Sequence, residues 1–528
     1  MNLHSDRAGR GLLLRVACAL LLVDCAAGIA GCSSLPTLEG RTKTSAIGAD
    51  DSTRLHDALA PLTTQHPGLS GIHVLGEGRA AFAARMALAG AAQRSLDVQY
   101  YIWHEDVSGT LLFDSLRRAA ERGVRVRLLL DDNNTKGMDP TLAALNAQPN
   151  VELRLFNPFV NRWARLWGYA TDFSRLNRRM HNKSFTADGV ATIIGGRNIG
   201  DEYFGASDDI GFIDLDVIAI GAAVTDVEKS FDDYWNSASA YPADRILPAA
   251  TPAQISSFAT QGIEISNSAP GQEYMATVRE TEIVRDMITR QMDWEWCEAQ
   301  LIVDDPAKAL DRAKRKDYLL AGIEHVVGPP KSELHLVSPY FVPTENGVAA
   351  FSRMRERGVR VSILTNALEA TDVAAVHAGY AKYRKELLRQ GVQLWELKRA
   401  AAGGPVKSNA GFGGSGESGA ASLHAKTFSV DREQVFVGSF NFDPRSAALN
   451  TEMGLVIRSP ALAGRLANAF DDRIPADAYE VQLTSQGELQ WLERRAQGEV
   501  VYHTEPGTSG WRRFGVEVMS LLPIDWLL

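Results

Sequence analysis

Two short segments of this chain carry the same three polar side chains at the same spacing. Residues 181–188 read HNKSFTAD and residues 424–431 read HAKTFSVD, so both fit the pattern HxKxxxxD. Side chains two positions apart on a strand point to the same face, which places each His beside its Lys. An imidazole and an ammonium, delivered twice, suit a doubly negative, phosphate-like group. A loop ending in Asn follows each segment at the same distance, so the candidate residues are His181, Lys183 and Asn198, then His424, Lys426 and Asn441.

The elements that must position these residues are short hairpins. The residues after each His are mostly apolar or β-branched, and turn residues stand in the middle of each segment. Asp188 and Asp431 occupy those turns. Because Asp is common in turns for its own reasons, we interpret both as structural groups of the motif and not as catalysts.

The elements before each hairpin also repeat. Apolar periodicity predicts strands at 96–103, 124–130 and 151–156 with helices at 80–92, 109–122 and 141–147. The second half repeats this order with strands at 334–342, 359–361 and 392–396 and helices at 347–357 and 374–390. Strands that alternate with helices predict an α/β fold. We therefore expect two duplicated α/β halves, each a mixed, mostly parallel sheet flanked by helices.

With these motifs the chain resembles the phospholipase D (PLD) superfamily, and within it bacterial cardiolipin synthases of the C type. The similarity runs over 76–528, and is carried by the stretches SLDVQYYIW at 95–103, DFSRLNRRMHNK at 172–183, GGRNIGDEYF at 195–204 and GSFNFDPRS at 438–446. The resemblance implies one active site, shared at the interface of the two halves, and a covalent phosphohistidine intermediate.

By the same resemblance, His181 is the nucleophile and His424 the acid and base, although the pseudo-symmetry leaves the reverse assignment open. Lys183 and Lys426 neutralise the phosphoryl oxygens, with help from Asn198, Asn441 and the substrate-binding hydroxyl of Ser439. Since two lysines supply positive charge and no His/Cys cluster accompanies them, we expect no metal and no cofactor.

A nucleophilic imidazole needs an acceptor on its far nitrogen. The family pattern assigns this role to Glu452 and, in the other half, to Asp214, while Asp216 on the same strand face stays open. Arg178 and Arg179 are candidates for substrate binding. They belong to a basic, aromatic segment that is either a solvated helix face or a membrane-facing patch, with Arg162, Trp163, Arg165, Trp167, Arg175, Arg178 and Arg179.

Composition supports a globular protein that acts on something other than nucleic acid. The 528 residues are 45% hydrophobic and 23% charged, and the formal net charge is −9. Nucleic-acid binders usually carry a basic surplus, so we expect no nucleic acid as partner. The expected partners are membrane phospholipids (phosphatidylglycerol, phosphatidylethanolamine or cardiolipin) and the membrane surface. An accessory protein remains open.

The N-terminus reads as a targeting segment. Arg7 and Arg10 precede an apolar stretch at 11–23, and Ile29-Ala30-Gly31 precede Cys32, as in the lipobox of bacterial lipoproteins. We expect lipidation of Cys32 and a protein anchored in the periplasm of a Gram-negative bacterium, at the inner or outer membrane; an ordinary cleaved signal or a short membrane anchor is the alternative. Cys297 is then the last cysteine, and we expect it to be buried.

The expected domain organisation has six parts. These are a signal segment at 1–32, a polar tether at 33–70, the first PLD-like half at 71–225, a helical connecting region at 226–330, the second half at 331–480 and an amphipathic C-terminal tail at 481–528. The Gly- and Ser-rich stretch 401–420 is a flexible loop or a lid. The tail either packs on the domain or lies in a bilayer interface.

The leading functional hypothesis is a phosphatidyl transferase that makes cardiolipin from two phospholipids. A PLD that hydrolyses phospholipids to phosphatidic acid is the main alternative, and a nuclease of the superfamily is less favoured. A catalytically inactive scaffold would not need both motifs complete.

Overall fold

Each HxKxxxxD segment forms the hairpin that its turn residues predict. Asp188 and Gly189 have φ of 52° and 67°, and Asp431 and Arg432 have φ of 55° each, as in the two-residue turns that match β-hairpin twist. The Asp188 carboxylate accepts hydrogen bonds from the backbone N–H groups of 93–95. That of Asp431 accepts them from 331–333. Each carboxylate therefore fastens its hairpin to the start of a neighbouring strand.

The computed structural model describes residues 34–50, 52–207, 211–289, 291–399, 421–522, 525 and 528. Cys32 and the 401–420 segment, for which lipidation and a lid are predictions, lie outside these residues. Within the described ranges, no helix is both long enough and apolar enough to cross a membrane.

The first half is built on one mixed sheet. The strands of the first half are β1 (Ser70–Leu75), β2 (Ser95–Tyr100), β3 (Arg125–Asp131), β4 (Val151–Phe156), β5 (Ser184–Ala187), β6 (Ala191–Gly195), β7 (Gly211–Ile213), β8 (Asp216–Gly221) and β9 (Ala240–Pro242). All of them except β7 belong to this sheet. Its helices are α1 (Arg54–Gln65), α2 (Gly78–Ala91), α3 (Val107–Glu121), α4 (Asp139–Asn146), α5 (Arg165–Thr171), α6 (Phe173–Leu176), α7 (Asp201–Phe204) and α8 (Ala222–Trp235). The strand order is β9-β4-β3-β2-β5-β6-β8-β1.

The connecting region and second half follow. Helices α9 (Pro252–Asn267), α10 (Ala269–Arg279) and α11 (Glu282–Thr289) lead to β10 (Glu295–Val303) and α12 (Leu319–Val327). The later strands are β11 (Glu333–Val337), β12 (Arg360–Asn366), β13 (Gln393–Leu397), β14 (Ala421–Leu423), β15 (Thr427–Val430), β16 (Gln434–Gly438), β17 (Met453–Arg458), β18 (Ala478–Leu483), β19 (Leu489–Arg495) and β20 (Gly498–Tyr502). The later helices are α13 (Thr344–Glu356), α14 (Ala374–Ala381), α15 (Arg384–Arg389), α16 (Pro444–Ala448), α17 (Pro460–Asp472), α18 (Ile474–Asp477) and α19 (Gly510–Ser520).

The second sheet repeats the first, with the order β20-β19-β18-β13-β12-β11-β15-β16-β17-β10. The predicted duplicated α/β halves with mixed sheets are confirmed. The parallel share is smaller than predicted, however. Only β2-β3-β4, β11-β12-β13 and the β7–β14 pair run parallel, because each motif hairpin and the strands that follow it add to the sheet in antiparallel order.

Strand β10 joins the two sheets. Its residues Glu295, Trp296 and Cys297 pair with β1, and the rest of the strand pairs with β17. The sequence had indicated a helical connecting region, but this region also contains strand β10. Cys297 is buried, as predicted. Beside this strand, apolar side chains of both halves pack into a common core that includes Leu215, Val217, Val435, Val437 and Leu455. This core fixes how the halves face each other.

The two terminal segments are more ordered than a tether and a tail. Arg41 donates hydrogen bonds to the backbone of Ser237 and Ala240, and α1 follows within the same stretch. Residues from 34 onward therefore pack on the first half. At the other end, β19 and β20 extend the second sheet, and α19 is the amphipathic helix that follows them.

Candidate active site

The histidines are positioned by strand pairings that cross from one half to the other. The backbone N–H of His181 donates to the carbonyl of Thr451 at 2.8 Å. In the mirrored arrangement, β14 pairs in parallel with β7, and the N–H of His424 donates to the carbonyl of Ile213 at 2.8 Å. Each histidine thus lies beside the residue that precedes an acidic side chain of the opposite half.

Those acidic side chains hold the imidazole rings. Nδ1 of His181 lies 2.8 Å from a carboxylate oxygen of Glu452, and Nδ1 of His424 lies 2.5 Å from one of Asp214. Both carboxylates are fully buried, and both histidines are nearly so. Because the carboxylate binds Nδ1, Nε2 of each ring is the nitrogen left for chemistry. Neither half alone completes either pair.

The two lysines lie against the histidines of their own motifs. Nζ of Lys183 donates to the backbone carbonyl of His181 at 2.7 Å and lies 5.5 Å from the centre of the Tyr101 ring. Nζ of Lys426 lies 2.9 Å from Nδ1 and 3.3 Å from Nε2 of His424. Burial lowers the pKa of both ammonium groups, so a bound anion would restore the environment that favours their charge.

Burial disfavours the ionised forms of both His181 and Glu452. Burial, and then the Lys183 charge, lowers the pKa of His181 well below its ordinary value, so this imidazole is neutral near pH 7. Burial raises the pKa of Glu452 to about 7, against the opposing effects of Lys183 and of hydrogen bonds from Ser439 and Ser446. A neutral ring beside a carboxyl group that titrates near neutrality leaves the ring lone pair free.

The His424 pair behaves differently. Burial raises the pKa of Asp214, but the charges of His424 and Lys426 outweigh it and leave that pKa below its ordinary value. Burial and Lys426 lower the pKa of His424, while Asp214 opposes them. Asp214 is therefore ionised near pH 7 and favours a proton on His424. Glu452, whose pKa is about 7, is only partly ionised at that pH.

The sequence matches the family model described as "Cardiolipin synthase, PLD-like domain" over residues 86–235 and again over 325–474, which together span more than half of the chain. Cardiolipin synthase C of Escherichia coli (strain K12) is 48% identical over 475 residues, covering 90% of this chain and 100% of the relative. The chain belongs to the PLD-like cardiolipin synthase family. Each match contains one HxKxxxxD motif, so the predicted membership is confirmed.

More distant comparisons agree with this fold. An uncharacterized protein of Helicobacter pylori (strain ATCC 700392 / 26695) is 30% identical, covering 89% of this chain and 92% of that protein. Among solved structures, the phosphatidylserine synthase of Haemophilus influenzae Rd KW20 superposes with a TM-score of 0.55 at 14% identity. It covers 90% of this chain and 100% of its own. At this identity the similarity shows the fold alone.

The polar residues predicted to contact substrate divide into two groups. In this PLD-like family member, the Asn441 side-chain oxygen is buried with no hydrogen-bond partner among the described residues, which is compatible with its predicted contact with substrate. Asn198 instead bonds to the Ile102 N–H and the Tyr203 hydroxyl. The Ser439 hydroxyl donates to Glu452 at 2.5 Å. Ser439 therefore orients the Glu452 carboxylate, and its contact with substrate stays a prediction.

The choice between Asp214 and Asp216 is resolved by geometry. Asp216 pairs with Arg85 at 2.8 Å and accepts from the Arg197 N–H, so only Asp214 reaches a histidine.

The side chains of the two arginines are held by acidic residues. Arg179 is buried and bound to Asp131 at 2.6 Å. Arg178 bonds to Asp311 at 2.9 Å, at the rim of an apolar groove of about 1080 Å³ on the second half. Both guanidinium groups already have carboxylate partners, and the role of Arg178 and Arg179 in substrate binding stays a prediction.

Several residues of the site went unassigned at the sequence level. Ser446 donates to the other oxygen of Glu452 at 2.9 Å. Tyr101 packs edge-on to His181, and Tyr203 and Phe212 pack against His424. Tyr101, Tyr203 and Ser446 lie within the stretches that carried the family resemblance, and that proximity was the available signal. Phe212 had no such signal.

One cluster of the described residues has the donors of a metal site. His104, Asp106 and Glu202 bring ligand atoms within 4.8 Å of one another. The oxygens of Asp106 already accept from the N–H groups of Gly109 and Asp201, where they cap α3 and tie it to α7. The cluster includes none of the four motif His and Lys residues, so we give it a structural role.

Proposed function

We propose that this protein transfers the phosphatidyl group of one phospholipid to a hydroxyl of another and so forms cardiolipin. The observation that carries the proposal is the crossed arrangement of two histidines, each bound through Nδ1 to a carboxylate of the opposite half. Family membership supports phospholipids as the substrate class and association with a membrane. Which phospholipid donates the group is left to experiment.

In the first step, Nε2 of His181 attacks phosphorus. The bond between phosphorus and the oxygen of the leaving alcohol breaks, and His424 gives that oxygen a proton. His424 holds this proton in the complex because the Asp214 carboxylate and the bound phosphate offset the lowering of its pKa by burial and Lys426. Lys183, Lys426 and Asn441 stabilise the charge on the other phosphoryl oxygens. The unequal pairs support this assignment, because the neutral ring beside Glu452 suits a nucleophile and the ring beside the Asp214 carboxylate suits a proton carrier.

In the second step, neutral His424 removes the proton from the hydroxyl of the acceptor lipid. The new oxygen–phosphorus bond forms as the nitrogen–phosphorus bond to His181 breaks, so both histidines return to their starting states. Water would give phosphatidic acid by the same route. The burial of both histidines, together with lipid hydroxyls concentrated at a membrane, favours transfer.

We further propose that Cys32 is diacylated and that the anchor holds the enzyme at a periplasmic membrane face. The sequence Ile29-Ala30-Gly31 before Cys32 supports this. Cys32→Ala should abolish incorporation of labelled palmitate and leave the precursor uncleaved. A mature protein of unchanged size and membrane fractionation would refute lipidation.

The function is tested by expression in cells that lack cardiolipin synthases, with lipids analysed by mass spectrometry. Wild-type protein should produce cardiolipin, and His181→Ala should produce none. Purified enzyme on vesicles of phosphatidylglycerol, with or without phosphatidylethanolamine, identifies the donor. Phosphatidic acid as the main product would make the protein a hydrolase. A chelator should leave turnover unchanged, because the lysines supply the charge, and lost turnover would reveal a required metal.

A further inference from the structure

Two segments, one in each half, expose large apolar side chains to solvent. In the first half, a segment at α5 leaves Trp163 89% and Leu166 88% exposed, with Trp167 and Phe173 beside them. In the second half, Trp511 on α19 is 84% exposed. Apolar side chains this large and this exposed mark surfaces that contact something other than water.

Helix α19 has two apolar faces. Val516 and Met519 pack inward on Leu368 and Ala378, so this face holds the helix on the domain. The outer stripe follows helical spacing and stays exposed; it consists of Trp511, Phe514, Val518 and Leu521. A helix that needs only to pack on its own domain has no use for the second stripe.

The arginine side chains of the α5 segment attach it to the first half. Arg162 pairs with Asp132 and Asp139 at 2.5 Å each, and Arg165 donates to the Asp132 carbonyl at 2.7 Å. The arginines that suggested a basic membrane patch are therefore turned inward. What faces solvent is the aromatic part of the segment, Trp163 and its neighbours.

The α5 segment is linked to one histidine by short contacts. Tyr169 of α5 donates to Asn133 at 2.5 Å, and Asn133 donates to the Tyr101 hydroxyl at 3.3 Å. The Tyr101 ring in turn packs on His181 with ring centres 5.0 Å apart.

Helix α19 is linked to Asp372, which lies close enough to His424 to oppose the lowering of the pKa of that histidine by burial. Arg512 donates to the Thr371 carbonyl at 3.3 Å, and the next residue, Asp372, accepts from the Tyr340 hydroxyl at 2.6 Å. Arg445 connects Leu528, near α19 in the sequence, with the end of α6. Its backbone N–H donates to the carbonyl of Leu528, and its guanidinium donates to Asn177, just after α6.

We propose that the α5 segment and α19 together form a docking surface that inserts its apolar side chains into a phospholipid bilayer and sets the mouth of the site against it. This rests on the proposed function, since a bilayer holds both substrates of phosphatidyl transfer. The arginines of the α5 segment are paired internally, Arg512 and Arg513 on α19 donate to backbone carbonyls, and the whole chain is acidic. Docking therefore depends mainly on apolar insertion and not on charge. It therefore persists at high salt.

The first test uses full-length protein and vesicles of phosphatidylglycerol and phosphatidylethanolamine with brominated acyl chains, which quench Trp fluorescence on contact. Wild-type emission should be quenched equally at low and high salt. Quenching should fall in Trp163→Phe/Trp167→Phe/Trp511→Phe, which removes three of the ten tryptophans. Unchanged quenching in this variant, or its loss at high salt in the wild type, would overturn the proposal.

The second test separates docking from chemistry. Trp163→Ser/Leu166→Ser and Trp511→Ser/Phe514→Ser should each lower turnover of vesicle lipid by about tenfold or more, while turnover of a monomeric short-chain phospholipid is retained. Ile263→Ser, at an exposed apolar position on α9, is the matched control and should change neither rate. Any lipid anchor is common to all variants.

Equal loss on both substrates, or none on vesicles, would refute docking. A wild-type dimer that these changes convert to monomers with unchanged vesicle turnover would make the surface a protein interface instead. If no phospholipid is turned over but quenching behaves as expected, the proposed function fails and docking stands.

Discussion

The histidines of the two motifs have carboxylate partners that differ in how firmly they hold negative charge. Since burial raises the pKa of Glu452 to about 7, this group becomes a carboxylate only as pH rises through neutrality. Its carboxylate form stabilises the positive charge that His181 acquires on attack. A phosphatidyl ester of p-nitrophenol isolates this step, because its leaving group needs no proton from His424.

With that ester, we expect the rate of p-nitrophenol release in the first turnover to rise with pH around a midpoint near 7. Glu452→Gln should remove the rise and lower the rate by about two to four orders of magnitude. Stopped-flow absorbance at a series of pH values measures both. A midpoint that survives in Glu452→Gln would show that another group titrates.

A substitution at Ser439 distinguishes the observed role of its hydroxyl, which binds Glu452, from the predicted contact with substrate. Because its hydrogen bond lowers the pKa of Glu452, Ser439→Ala should move the midpoint above that of the wild type and slow the reaction about tenfold at pH 7. Ser446→Ala, which removes the bond to the other oxygen, should move it the same way. A slower reaction with an unmoved midpoint in Ser439→Ala would mean that the hydroxyl contacts substrate after all.

At the level of elements, the motif aspartates act on hairpins. Asp188 is buried, accepts three backbone N–H groups and has positive φ. Asp188→Ala should lower the free energy of unfolding by about 2 to 4 kcal/mol. The less buried Asp431→Ala should lower it by less. Urea unfolding measures this, with first-turnover rate per folded molecule as control. Full stability with lost activity would instead make Asp188 catalytic.

Local patterns predicted the elements well where packing follows sequence period. The strand predicted at 151–156 matches β4, and the helix predicted at 109–122 matches α3 within two residues. The helix predicted at 374–390 divides into α14 and α15 around Lys382 and Tyr383, which bind Asp525 near the chain end. These two positions contain no helix-breaking residue that would have predicted the division. The division coincides instead with a contact to a residue that is distant in the sequence.

The whole molecule explains what the sequence left open. The motifs predicted which histidines and lysines share a site, and the family pattern gave Glu452 and Asp214 as acceptors for the imidazoles. That each contact crosses from one half to the other is visible only in the structure. That crossing depends on pairings between residues such as Ile213 and His424, about two hundred positions apart, and on the core that docks the halves. Strand β10, which enters both sheets, was hidden for the same reason.

In the proposed mechanism, His181 forms the covalent bond and His424 moves the protons. The p-nitrophenyl ester tests it directly in His424→Ala, which retains the nucleophile but lacks the base for the second step. We predict a burst of about one p-nitrophenol per enzyme, a stalled phosphatidyl adduct on the peptide that contains His181, and no burst in His181→Ala. A burst in His181→Ala, with the adduct on His424, would contradict the account.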